Sequence, residues 1–198
     1  MTNGAAIIGV GSCGPDDGQR AHREMNMPVA SSSAQALGPH GAIDPGRFRS
    51  VMGAFATGVA VITTEWNGEL YGATVNSMTS VSLQPCMLLF CTSEGSATGA
   101  AIRQRGLFSV NILGRHQYDL SIRFTGMRKN RFEDLAVAFS SDGLPLLQGA
   151  AGQLCCRVTA IHTAGDHDIT LGEVLSGEEN TCSPLVFHKG AYGSFHGD

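Results

Sequence analysis

"VAVITTEWNGELYGATVNSMTSVS" (residues 59–82) holds two β-branched runs separated by Asn67-Gly68, followed by a polar stretch that fits neither a helix nor a regular strand. Asn-Gly supplies the positive φ angles that a two-residue turn between right-twisted strands requires, so 59–77 reads as a β-hairpin. The continuation "TVNSMTSVS" (74–82) carries the hydroxyls of Thr74, Ser77, Thr79, Ser80 and Ser82 and the carboxamide of Asn76. Its apolar residues, Val75, Met78 and Val81, recur at every third position, whereas a half-buried strand alternates at every second. That spacing predicts a bend near Met78. Hydroxyls and main-chain N–H groups gathered at a bend can hold a phosphate and the polar edge of a heterocycle without formal charge. A Ser/Thr-rich edge strand facing solvent is the competing account.

Working outward, "DPGRFRSVMGAFATG" (44–58) offers Asp44 as an N-cap, Pro45 at the first helical position, Phe48, Val51, Met52 and Phe55 at helical spacing, and Gly58 as a stop. Beyond the bend, "CMLLFCT" (86–92) and "LFSVNIL" (107–113) read as strands. Between them "SATGAAIRQRG" (96–106) is a helix opened by Ser96 and closed by Gly106, and "RHQYDLSIRFTG" (115–126) is a third helix. Residues 127–148 have no period and are expected to be irregular. "GQLCCRVTAIHTA" (152–164) and "HDITLGEVLSG" (167–177) form a long hairpin turned at Gly165-Asp166, and "PLVFHKGAYG" (184–193) adds a last strand. Six or seven mostly hairpin-linked strands with three helices, and no strict βαβ alternation, predict a mainly β domain closed into an antiparallel barrel, which leaves no sheet edge open.

The chain has 198 residues, a net charge of −4 and only 15% charged residues, which argues against a nucleic-acid partner. No apolar run approaches the roughly 20 residues of a membrane helix. Six cysteines without a C-x-x-C pair, and no secretory segment ahead of them, read as reduced thiols of a cytoplasmic protein. Residues 1–42, rich in Gly, Ala and Ser, are expected to be a flexible leader to a domain at 43–198. "AIIGVGSCGPDDGQ" (6–19) contains G-x-G-x-x-G, but Pro15 follows at once and no helix with an apolar stripe comes after it. It is therefore assigned to the leader rather than to a dinucleotide-binding turn.

Six segments in register, "FRSVMGAFATGVAVITT", "GATVNSMTSVSLQP", "LFSVNIL", "RFTG", "AGDHDITLGEV" and "FHKGAYG", resemble the flavin reductase-like family with the FMN-binding split-barrel fold, a Greek-key type of β-barrel. The resemblance covers roughly residues 43–194. It implies a homodimer with FMN or FAD in a groove near the subunit interface, NADH or NADPH as co-substrate, and reduced flavin passing by diffusion to a separate monooxygenase. A flavin-binding electron carrier without turnover is the alternative. Carried over residue by residue, Thr74, Asn76, Ser77, Ser80, Val81 and Ser82 would meet the flavin ring and its side chain, and Cys91 and Thr92 would pass beside the ring. Ser96 and Thr98, with the helix N-terminus they open, would meet the phosphate. Ala97 stands where many relatives carry a basic residue, which leaves Arg123, with Phe124, as the nearest source of a charge-assisted contact. Arg128, Lys129 and Arg131 form a basic loop read as solvated. His167, in the G-D-H turn, would orient the nicotinamide, with Tyr192 nearby. A metal at His162, His167, Asp166 and Asp168 is not expected, because nothing is placed to complete the shell. Hydride transfer between stacked rings needs no protein acid, base or nucleophile, so no catalytic residue is assigned.

Overall fold

The computed structural model describes residues 41–126 and 130–195. The glycine-rich motif at 6–19, nearly all of the expected leader, and Arg128 and Lys129 lie outside the described residues. Chain order is α1 (Pro45–Met52), β1 (Thr57–Gly58), β2 (Ala60–Trp66), β3 (Glu69–Val75), β4 (Thr79–Leu83), β5 (Cys86–Ser93), α2 (Ala97–Arg105), β6 (Leu107–Ile112), α3 (Tyr118–Arg123), β7 (Val137–Phe139), β8 (Pro145–Leu147), β9 (Gly152–Ala164), β10 (His167–Glu179), β11 (Leu185–His188) and β12 (Ala191–Ser194). The fold is mainly β, with three helices among the described residues.

Seven strands pair antiparallel in the order β3-β2-β6-β9-β10-β5-β4. Strands β3 and β4, neighbours in sequence, thus form opposite edges of the sheet. Laid flat, those edges would be about 29 Å apart at roughly 4.8 Å per strand. The chain from Val75 to Thr79 spans at most about 14 Å, so the sheet must curl until its edges approach. No ladder joins β3 to β4, and the closed barrel expected from the sequence is seen as a curled sheet with a seam.

Val59–Ile62 is apolar at every position because β2 is covered on both faces. Ala60 and Ile62 join a core with Phe90, Ile102 and Phe108, while Val59 and Val61 join a second with Leu113, Phe124, Leu147 and Leu185. The Asn67-Gly68 turn has φ values of 52° and 79°, as its strand-reversing geometry demands. Helix α2 runs between the expected cap residues, with Ser96 at its start and Gly106 left-handed at φ 72° at its end.

Several elements depart from the expectation. Helix α1 ends at Met52, with Gly53 as its cap, well before Gly58, and none of its residues is buried. Its apolar side chains, with Phe55, stay exposed. Helix α3 is only six residues long. The stretch expected to be irregular contains the β7–β8 hairpin, too short for its alternation to stand out. The expected last strand is two, β11 and β12, turned at Lys189-Gly190, where both residues have positive φ.

A buried polar knot ties the β8 hairpin to the sheet. Asn111 donates to the Val61 carbonyl and the Thr63 hydroxyl, and its Oδ1 accepts from Leu147 N at 2.8 Å and Gln153 Nε2 at 2.8 Å. Asn111→Ala leaves these groups unpaired in a site of zero solvent exposure. The expected cost is about 2–4 kcal/mol, read from chemical denaturation.

Candidate functional site

The bend between β3 and β4 is pinned from both sides. Ser77 Oγ accepts from Cys91 N at 3.0 Å and donates to Cys91 O at 3.2 Å, fastening the link to β5. Thr74 N donates to Phe124 O and the Thr74 hydroxyl donates to Ser121 O at 2.7 Å, fastening the end of β3 to α3. The alternation in β5 sends Leu88, Phe90 and Thr92 into the interior and leaves Cys91 half-buried on the opposite face. Asn76, next to Ser77, is exposed.

Above Thr92 lies the N-terminus of α2. Ser96 Oγ caps Gly99 N at 3.3 Å, and no acceptor among the described residues takes the N–H of Ala97 or Thr98. These two groups, with the positive end of the helix dipole, face outward as donors. The Thr92 hydroxyl, on a residue only 5% exposed, has no hydrogen-bond partner. A Cβ on Gly99 would lie 2.9 Å from Thr92 Oγ1, so the bare glycine is what lets the helix start sit on this hydroxyl. Buried hydroxyls are normally satisfied, and Thr92 Oγ1 is one of three buried side-chain polar atoms among the described residues, with Thr57 Oγ1 and Arg105 Nε, that have no partner.

The β9–β10 turn closes the same end. Glu94 N donates to Asp166 O at 2.9 Å, and His167 pairs across the ladder with Ser93 and Ala164. His167 Nδ1 lies 2.8 Å from Asp166 Oδ1, a contact that holds the Asp166 carboxyl below its usual range. Asp168 accepts from Thr163 Oγ1 and from Arg103 Nη2, both at 2.8 Å, linking β10 to α2. Opposite, Gly72 makes room for Phe124, whose ring a Cβ would approach to 2.6 Å, and Phe124 meets Phe132 edge to face at 4.9 Å. Arg131 donates to Gly72 O and Phe124 O, and partial burial lowers its pKa.

These walls enclose a cleft of about 1440 Å³. Of the residues expected from the sequence, it gathers Thr74, Asn76, Ser77, Cys91, Thr92, Ser96, Ala97, Thr98, Phe124 and His167. Ser80, Val81 and Ser82 do not line it: they lie on edge strand β4, where the register shifts between Ser80 and Ser82. Arg123 turns away, donating to the Glu133 carbonyl, because the short α3 aims its last residue at the following loop. Tyr192 also lies elsewhere, packed edge to face on Tyr118 and Phe187 with its hydroxyl 2.8 Å from Ser121 Oγ. Arg131, expected to be solvated, instead forms part of the wall, together with Tyr71, Phe132 and Glu133. No group of three or more His, Cys, Asp or Glu that could hold a metal occurs among the described residues.

The family profile described as "Flavin reductase like domain" matches residues 52–196. The chain is 38% identical over 152 residues to the reductase subunit HsaB of a flavin-dependent monooxygenase from Rhodococcus jostii, covering 76% of this chain and 78% of that one. It is 40% identical over 149 residues to the FMN reductase (NADH) SmoA of Agrobacterium fabrum, covering 75% and 84%. Among solved structures, flavin reductase PheA2 superposes with a TM-score of 0.73 at 37% identity, covering 78% of this chain and 100% of that one. The NADH:FAD oxidoreductase SgcE6 of Streptomyces globisporus, solved with NAD and FAD fragments, gives 0.74 at 30% identity, covering 79% and 98%.

The Asp168 carboxyl is held below its ordinary value of 3.8, first by the Thr163 hydroxyl and then by Arg103, against a partial desolvation penalty. Its folded pKa lies below the unfolded one, so its contribution to stability is present above about pH 4 and is lost as pH falls through the folded value. Asp168→Asn is expected to lower the thermal midpoint at pH 7 and to make the decline below pH ~4 shallower. Parallel midpoint-versus-pH curves for the two proteins would contradict this.

Proposed function

The chain belongs to the flavin reductase-like domain family, and from that membership and the cleft we propose that it is an NADH:flavin oxidoreductase supplying reduced FMN or FAD to a separate monooxygenase. NADH is preferred as donor because the relatives that name a nicotinamide name NADH. The observation that carries the reading is the cluster of neutral donors at the head of α2: the orphaned Thr92 hydroxyl and the open N–H groups of Ala97 and Thr98. They fit a flavin phosphate, which a helix N-terminus stabilises without a formal cation.

When bound, the flavin supplies the ring that accepts hydride from the nicotinamide. The residues of the chain bind, orient and exclude water. Asn76, exposed at the bend, is assigned to the polar edge of the ring. Thr74 and Ser77, whose hydroxyls already serve Ser121 and Cys91, hold the bend that Asn76 stands on. His167 is assigned to the nicotinamide. The cleft exceeds the roughly 300–1,000 Å³ usual for one ligand, which suits two rings lying face to face. A phosphate site of hydroxyl and amide donors gives modest affinity, which suits a reduced flavin that must leave. We further assign the chain to a homodimer in which the curled sheet is completed as a closed split barrel, to the cytoplasm, and to a domain at 43–198 preceded by a leader.

Anaerobic mixing with NADH and FMN is expected to bleach the flavin with many turnovers per protein. Absence of bleaching at micromolar protein, with flavin retained through dialysis, would favour the electron-carrier alternative. Thr92→Val, which removes an unpaired hydroxyl at nearly constant volume, is expected to leave folding stability unchanged or slightly raised while weakening flavin binding about threefold to tenfold, measured by fluorescence titration.

A further inference from the structure

We propose that Asp166 is a positioning residue that fixes the imidazole proton of His167 on Nδ1, so that Nε2 is offered to the cleft as an acceptor for a carboxamide N–H of the nicotinamide. The proposal rests on the assignment of His167 to the nicotinamide made above.

A carboxylate can only accept, so in the 2.8 Å contact with Asp166 Oδ1 the donor is His167 Nδ1. A neutral imidazole carries one proton, and placing it on Nδ1 leaves Nε2 with a bare lone pair. His167 lines the cleft and Asp166 does not. With Nδ1 engaged by Asp166, Nε2 is the ring nitrogen left with a lone pair for a ligand. The turn that carries both residues is fixed by the Glu94 N to Asp166 O bond and by the Asp168 contacts to Thr163 and Arg103. With the backbone held, ring orientation and tautomer are the freedoms left, and the Asp166 side chain removes them. That side chain is 95% exposed, so packing gives no other reason for its place. The two aspartates of the turn divide the work: Asp168 anchors α2, and Asp166 orients the imidazole. The primary amide of the nicotinamide supplies the matching N–H, and a methyl ketone in its place would not.

Two measurements on the full chain test this. In the nitrogen-15-labelled protein without ligands, long-range proton–nitrogen correlation at pH 8 is expected to report His167, identified by its absence in His167→Ala, as protonated on Nδ1 and bare on Nε2. Asp166→Asn, whose amide can accept or donate, is expected to shift the signal toward a mixture of tautomers. In steady-state assays, kcat/KM for NADH is divided by kcat/KM for reduced 3-acetylpyridine adenine dinucleotide, so that the intrinsic chemistry of the analogue cancels between variants. Asp166→Asn is expected to lower this ratio about threefold to tenfold, toward the value for His167→Ala, and Asp166→Glu to restore most of it. A His167 signal protonated on Nε2, or a ratio that drops in His167→Ala but not in Asp166→Asn, overturns the role of Asp166 and leaves His167 at the nicotinamide. A ratio unmoved in His167→Ala overturns the nicotinamide assignment itself.

Discussion

The whole arrangement depends on a three-residue link. Because only Asn76, Ser77 and Met78 separate β3 from β4, the two edges of a seven-stranded sheet are forced together, and the curl cannot relax without breaking that connection. Ser77 then uses both capacities of its hydroxyl on the Cys91 main chain. The same clamp places the polar bend beside the end of β5, where Thr92 and the start of α2 follow. Curling of the sheet and assembly of the cleft are thus one geometric event.

Absent side chains shape the cleft as much as present ones. Gly72 admits the Phe124 ring and Gly99 admits the Thr92 hydroxyl, each to a distance at which a Cβ would collide. Elsewhere Thr63, Ser109, Asn111 and the partly buried Gln153 form a connected network on the carbonyls of β8. Of the three unpartnered buried side-chain polar atoms among the described residues, Thr57 Oγ1, Thr92 Oγ1 and Arg105 Nε, only the Thr92 hydroxyl belongs to a residue that lines the cleft. The hydroxyls, amides and helix N–H groups of the cleft share its walls with Glu69, Glu94, Arg131 and Glu133, and the proposed chemistry belongs to a bound ring system.

Much of this was legible in the chain itself. The Asn67-Gly68 turn, the Ser96 and Gly106 caps and the Gly165-Asp166 turn are local devices, and the structure has them where their chemistry requires. The threefold apolar spacing around Met78 foretold the bend. The misses have local causes too. The β7 and β8 strands are three residues each, too short for a period to show. Arg131 read as solvated because a cation among loop residues gives no sign that carbonyls of Gly72 and Phe124 await it. Tyr192 and Arg123 are brought near the right elements yet face other partners, since side-chain direction at a strand or helix end depends on what packs against it.

The sequence by itself determined the strands, the turns, the helix caps and the polarity of the bend, because each depends on residues within a few positions of one another. It also carried the pattern by which the family is recognised. Only the tertiary structure decided which hydroxyls are spent on the main chain and which are left for a ligand, and that Ser80, Val81 and Ser82 lie outside the cleft. Those outcomes depend on contacts between residues far apart in the chain, such as Ser77 with Cys91 and Gly72 with Phe124, whose distances are set by the curl of the sheet.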